Sequence, residues 1–285
     1  MNQENNLTQA VERFAAVTRH LSDAQLEQEW NWRAYSEGVR FAFFRSYEEL
    51  RSLAARLVAE RSSPFTHAQR ALGQYHAAYR DLQAVLVSVE EAWLDEHPAQ
   101  GEWPLRIILG HIIAAEREFF ARIWHAVNQA RAGEEAAVEM EAQEVEEFVG
   151  SWRDFERTMD RLSLPGILAY YDALHKRVLR ELTDISDEEL GLESLWWEQI
   201  PLTVEFRLHR LDAHLRQHTI QIEKTLEAFH PGPTEAQRLL RLVYAALAEV
   251  DGAIIGEWML GRSERYELAA TITQRAEELA ALLNA

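Results

Sequence analysis

Cysteine is absent from the chain, and glycine and proline are scarce, at 12 and 7 of 285 residues. Without cysteine there is no disulfide framework, no Cys-ligated zinc, no iron–sulfur cluster and no cysteine nucleophile. Few Gly and Pro leave few places to interrupt a helix. Positive charge is short as well. The 29 Lys and Arg stand against 47 Asp and Glu, a formal net charge of −18. That excess repels phosphate backbones and anionic lipid, which argues against DNA, RNA or a membrane surface as partner. Long apolar runs are missing too: the most apolar stretch, Ile107 to Ala115, is short and interrupted by His111, which excludes a membrane span. Met1 to Asn6 carries neither a basic region nor an apolar run, so no secretory leader is predicted and the expected location is cytoplasmic. Several catalytic signatures are also lacking. There is no His-Glu-x-x-His, no Gly-rich phosphate loop and no Gly-x-Ser-x-Gly, which excludes a zincin protease, a phosphate-loop nucleotide hydrolase and a nucleophile-elbow hydrolase. A di-iron carboxylate centre needs two Glu-x-x-His motifs, and only Glu227-x-x-His230 fits, just before Pro231.

What is present is helical periodicity almost throughout. Hydrophobic residues make up 47% of the chain and recur at three- and four-residue spacing, while alternating β-branched runs are missing. The pattern predicts helices over roughly 7–20, 23–61, 67–95, 104–131, 143–160, 165–183, 202–229, 234–260 and 265–283. Ser22-x-x-Gln25, Thr66-x-x-Gln69, Ser186-x-x-Glu189 and Thr234-x-x-Gln237 match the capping box, in which each side chain satisfies an orphan backbone donor. Pro104 and Pro201 sit where a first helical turn tolerates proline. The fold class is all-α. No Gly-, Ser- or Pro-rich linker separates the ends from the middle, so one compact helical unit is expected over 1–285. Gly133 to Glu147 holds seven glutamates and reads as a solvated connection leading into a helix.

Among the histidines, one group is informative. His214 and His218 are four apart in the predicted 202–229 helix, so their Cβ atoms lie about 6 Å apart on one face. They flank the apolar stripe of Val204, Leu208, Leu211, Leu215, Ile222 and Leu226. A histidine at such a seam must be hydrogen-bonded, neutral or metal-bound, because an unpaired buried charge is costly. His111 occupies the same kind of shoulder beside Ile108, Ile112, Phe119 and Ile123. Gly110 beside it suggests close approach of a neighbouring helix. Two helices thus offer three imidazoles with coordination positions left open, the pattern of catalytic rather than structural zinc ligation.

Trp103-x6-Gly110-His111, followed by Leu-Asp-Ala-His-Leu-Arg-Gln-His-Thr-Ile-Gln-Ile at 211–222, resembles the DinB-like metalloenzymes. The resemblance implies a four-helix bundle over 67–229, built from 67–95, 104–131, 165–183 and 202–229. His111, His214 and His218 take its metal-ligand positions, with zinc or nickel as the ion. The segments 1–66 and 230–285 have no place in the minimal family bundle and are expected to add flanking helices; a homodimer is a family habit. The resemblance further implies a transferase that uses a low-molecular-weight thiol on a small electrophilic substrate. Metal-assisted hydrolysis and a non-catalytic metal-binding scaffold are the alternatives.

Around the triad, Glu118 returns to the face of His111 after seven residues and is the candidate base, with i,i+4 pairing to Arg122 as its plainer role. Arg207, seven before His214, is the candidate for binding a cofactor or substrate carboxylate, with a surface salt bridge as its plainer role. Gln221 can support the second ring nitrogen of His218. Trp103, Trp196 and Trp197 either line a pocket mouth or pack helices.

Overall fold

Helix starts read from the sequence are hydrogen-bonded caps in the computed structural model, which describes residues 6–134, 139–230 and 232–283. Ser22 and Thr234 form reciprocal capping boxes with Gln25 and Gln237. Thr66 and Gln69 exchange the same two bonds, as do Ser186 and Glu189. The stretch Met1 to Asn5 and residues 135–138 of the acidic run lie outside the described residues.

The chain divides into two units, one comprising Met1–Ser63, His76–Val89 and His230–Ala285, the other Pro64–Tyr75 and Glu90–Phe229. The sequence reading expects one unit with a core at 67–229. The packing instead groups residues 76–89 with the two chain ends, dividing the helix α4 (His67–Leu86) at Tyr75.

The first unit contains α1 (Asn6–Thr18), α2 (Asp23–Leu26), β1 (Glu29–Trp32), β2 (Tyr35–Gly38), α3 (Val39–Glu60), the second half of α4, α10 (Glu235–Ala253) and α11 (Arg262–Leu283). Helix α3 packs along α10 and α1 along α11. Their stripes meet in a core that includes Phe14, Phe43, Leu50, Leu57, Leu247, Val250, Ile272 and Leu279. Phe14 meets Phe43 edge-on at 5.1 Å. Buried within this unit, Arg80 donates to Asp251 from Nε at 3.0 Å and Nη2 at 2.7 Å, and His76 lies 3.0 Å from the same carboxylate.

The second unit holds the first half of α4, a single 3-10 turn at Glu91–Trp93, α5 (Leu105–Ala132), α6 (Ala142–Val149), α7 (Trp152–Met159), α8 (Leu164–Leu182), β3 (Glu193–Ser194), β4 (Leu202–Thr203) and α9 (Val204–Glu227). Helix α5 is central, packing along α9 on one side and α8 on another. Within it, Tyr75, Tyr171, His175 and Glu116 are buried, with His175 Nδ1 3.7 Å from Glu116 Oε1.

Four expectations are corrected. The stretch 23–61 is not one helix, because β1 and β2 form an antiparallel hairpin before α3. The predicted 67–95 helix stops at Leu86. The 143–160 helix is broken into α6 and α7 at Gly150, whose φ of 91° suits glycine. Pro201 leads into β4 rather than a helix, and α9 begins at Val204. Among the described residues no helix is long and apolar enough to cross a membrane.

Candidate metal centre

The centre rests on the two longest helices of the second unit. Pro104 caps the N-terminus of α5 in an extended conformation, and Thr203 caps α9 by accepting a hydrogen bond from the Phe206 amide. The stripes beyond those caps bury Ile108, Ile112, Phe119 and Ile123 on α5, and Val204, Leu208, Leu211, Leu215 and Ile222 on α9. Holding these stripes together brings their shoulders together. His218 is buried, while His111 and His214 are half-buried.

The three imidazoles converge through their Nε2 atoms. His214 Nε2 lies 3.3 Å from His111 Nε2 and 3.1 Å from His218 Nε2, and one nitrogen from each ring lies within 4.8 Å of both others. His218 Nδ1 is 2.7 Å from Gln221 Oε1. That oxygen only accepts, so Nδ1 carries the proton and Nε2 presents a lone pair. Burial pushes the His214 imidazole down to about 3, assisted by the charges of His218, His111 and Arg210. His111 is lowered by burial and then by His218. Desolvation and mutual repulsion therefore favour the neutral form of His111 and His214, the state in which imidazole is a ligand.

Aromatic rings flank the triad. Trp103 stands edge-on to His111 at 5.5 Å, and Phe119 to His214 at 5.9 Å. Phe119 in turn meets Trp196 at 5.3 Å. Trp196 belongs to the connection between β3 and β4, whose backbone turns at Gln199 with a φ of 59°. Trp103 and Trp197 are exposed.

The remaining predicted residues are placed as follows. Gln221 holds His218 as expected from the spacing. Glu118 lies 3.4 Å from Arg122, which also donates to the Met140 carbonyl. Arg207 is fully buried; its Nε donates to Ser194 Oγ and its two terminal nitrogens meet the two Glu198 oxygens at 3.2 Å each. Glu198 fills the fork, so Arg207 forms the salt bridge of its plainer expectation, buried rather than on the surface, instead of meeting a ligand carboxylate. The guanidinium also stacks 5.5 Å from the Trp196 ring, so Arg207 fastens the wall of the site. Gly110 does not serve a close helix approach, since a Cβ added there meets no atom within 4 Å.

One neighbour went unnoticed in the sequence. Arg210 is half-buried, one helical turn before His214, and its charge is felt at that ring. The i,i+4 rule that links His214 to His218 would have found it.

Comparison with known proteins yields one match: the family model of the DinB superfamily covers residues 74–222, more than half of the chain and all of the triad. Neither a curated protein nor a solved structure matches.

Proposed function

The chain belongs to the DinB superfamily, and from that membership we propose that His111, His214 and His218 hold one divalent metal ion, zinc before nickel, in a thiol-dependent transferase. The observation that carries the reading is the convergence of three imidazoles on one point. Three nitrogens bound to tetrahedral zinc at about 2.0–2.1 Å lie roughly 3.3 Å apart, close to the 3.3 and 3.1 Å separations of the Nε2 atoms. A sealed structural site would bury all three rings, whereas two of these are half-buried.

A bound divalent cation lowers the pKa of a thiol or water placed on it, supplying the nucleophile that a chain without cysteine lacks. The protein's own residues do the rest. Gln221 fixes the His218 ring in the tautomer that faces inward. Trp103 and Phe119 stand edge-on to the His111 and His214 rings, an apolar lining that strengthens electrostatic interactions there. Arg207, Ser194 and Glu198 hold the Trp196 wall in place.

Hydrolysis is the second reading, and it needs a base beside the ion. The one candidate, Glu118, is drawn to Arg122, which favours the thiol. Elemental analysis of protein purified without a histidine tag is expected to give one metal ion per chain, lost in His214→Ala/His218→Ala. Full metal uptake by that double variant would remove the triad from the reading. Turnover of small electrophiles is expected to require a thiol such as mycothiol, bacillithiol or glutathione. Metal-dependent turnover without any thiol would replace the transferase with the hydrolase.

A further inference from the structure

Helix α9 carries three arginines, Arg207 and Arg210 in the register of the triad's face and Arg216 on the far side of the helix. Two are committed to carboxylates of this chain: Arg207 to Glu198, and Arg216 to Asp212 at 2.8 Å. Across the seam on α5, Arg122 is drawn to Glu118. Arg210 is different. Among the described residues it takes part in no hydrogen bond, ion pair or ring contact, although acids outnumber bases by 18 in this chain. It is half-buried, so its charge is partly stripped of water without a protein partner to compensate. It also stands four residues before His214, with Cβ atoms about 6 Å apart on one helical face.

An unpaired guanidinium beside a site built for a cation is unfavourable by itself, since like charges raise one another's cost. The arrangement becomes favourable when a ligand brings an anion. Arg presents a planar fork suited to a carboxylate, and here the residue stands one helical turn before His214, where its charge is felt. Arg207, by contrast, has its fork filled by Glu198.

We propose that Arg210 receives the carboxylate of the small molecule handled at the triad, so that the ligand carries a carboxylate a few bonds from the atom that meets the metal. The proposal rests on the metal reading above and names the ligand class for that same site.

The test uses the full chain loaded with cobalt(II), titrated with 3-mercaptopropionate and with 2-mercaptoethanol. Thiolate bound to cobalt gives a charge-transfer band in the near ultraviolet, so binding is read without any turnover. The wild type is expected to bind 3-mercaptopropionate about 10-fold or more tightly than 2-mercaptoethanol, the scale of one charge-assisted hydrogen bond. Arg210→Met is expected to bring the two affinities to within about 2-fold, with that for 2-mercaptoethanol unchanged, which also reports an intact fold. Arg210→Lys should retain part of the preference, as a point charge without the fork. Equal affinities in the wild type, or a preference that survives Arg210→Met, overturn the role of Arg210 while leaving the metal site standing. Absence of any cobalt spectrum in the wild type overturns the metal reading and this proposal with it.

Discussion

At the scale of single residues, the triad was readable because the rule behind it is local. Two histidines four apart on a helix must share a face, and a third on the shoulder of another apolar stripe has one seam to face. Gln221 followed by the same logic, three residues beyond His218. Ligating histidines depend on a partner for the second nitrogen, and its loss typically costs 10–100-fold in metal affinity. Gln221→Leu is therefore expected to weaken zinc binding by about 10-fold or more, measured by competition with a chromophoric chelator; an unchanged affinity would show that the 2.7 Å contact does not set the tautomer. Arg207 forms the salt bridge that was its plainer expectation, but buried and with a partner that sequence spacing does not contain. Its partner Glu198 lies in a loop, and no helical periodicity places a loop carboxylate. Gly110, expected to allow close approach of a helix, faces open space instead. Gly110→Ala is accordingly expected to stabilise the protein by about 0.5–1 kcal/mol through reduced unfolded-state entropy and better helix propensity. A fall in the thermal midpoint would indicate that this stretch of α5 needs the missing side chain.

At the scale of elements, helices were legible where apolar stripes ran between capping residues, and errors gathered where something other than periodicity decides. The hairpin of β1 and β2 turns through Arg33 and Ala34, with Arg33 in the left-handed region at a φ of 54°. Two-residue hairpin turns normally announce themselves with Asn or Gly; here Arg33 instead sits over the Trp32 ring at 4.5 Å, a contact with no sequence signature. The β3–β4 connection matters more for function. It brings Trp196 against Phe119 beside the histidine triad, and a buried guanidinium holds it. Removing one member of a buried pair leaves the other uncompensated and typically costs 3–5 kcal/mol. Because Glu198 keeps some exposure, Arg207→Met should cost near the lower end, about 3 kcal/mol. Most of that loss should be recovered when Glu198→Gln is added, and urea titrations of the two variants measure it. A single variant as stable as the wild type would mean that the wall is held by its aromatic contacts alone.

At the scale of the whole molecule, the division at Tyr75 was hidden because α4 reads as one uninterrupted helix, with no linker to mark where its packing partners change. The two units also carry acids of opposite behaviour, one half-buried and one buried, and this sets how stability depends on pH. Asp251, in the first unit, is held well below the usual carboxylate range because Arg80 and His76 outweigh its burial. Its stabilising contribution is present above the ordinary value near 3.8 and is lost as pH falls below that. Glu116, in the second unit, is pushed up to about 8, because burial outweighs the opposing influence of the Tyr171 and Tyr75 hydroxyls. The folded unit keeps a proton that the unfolded chain releases above about 4.5, so stability must fall as pH rises from there. The fall ends once the native carboxyl also ionises, above about 8, after a loss on the order of 5 kcal/mol. Glu116→Gln preserves the shape and removes the titration. Denaturant unfolding of the wild type from pH 5 to pH 8.5 is expected to show a steady loss of stability that the variant lacks, while both share the decline below pH 4 contributed by Asp251. Parallel slopes for the two proteins above pH 5 would show that Glu116 is not the group whose proton the folded bundle retains.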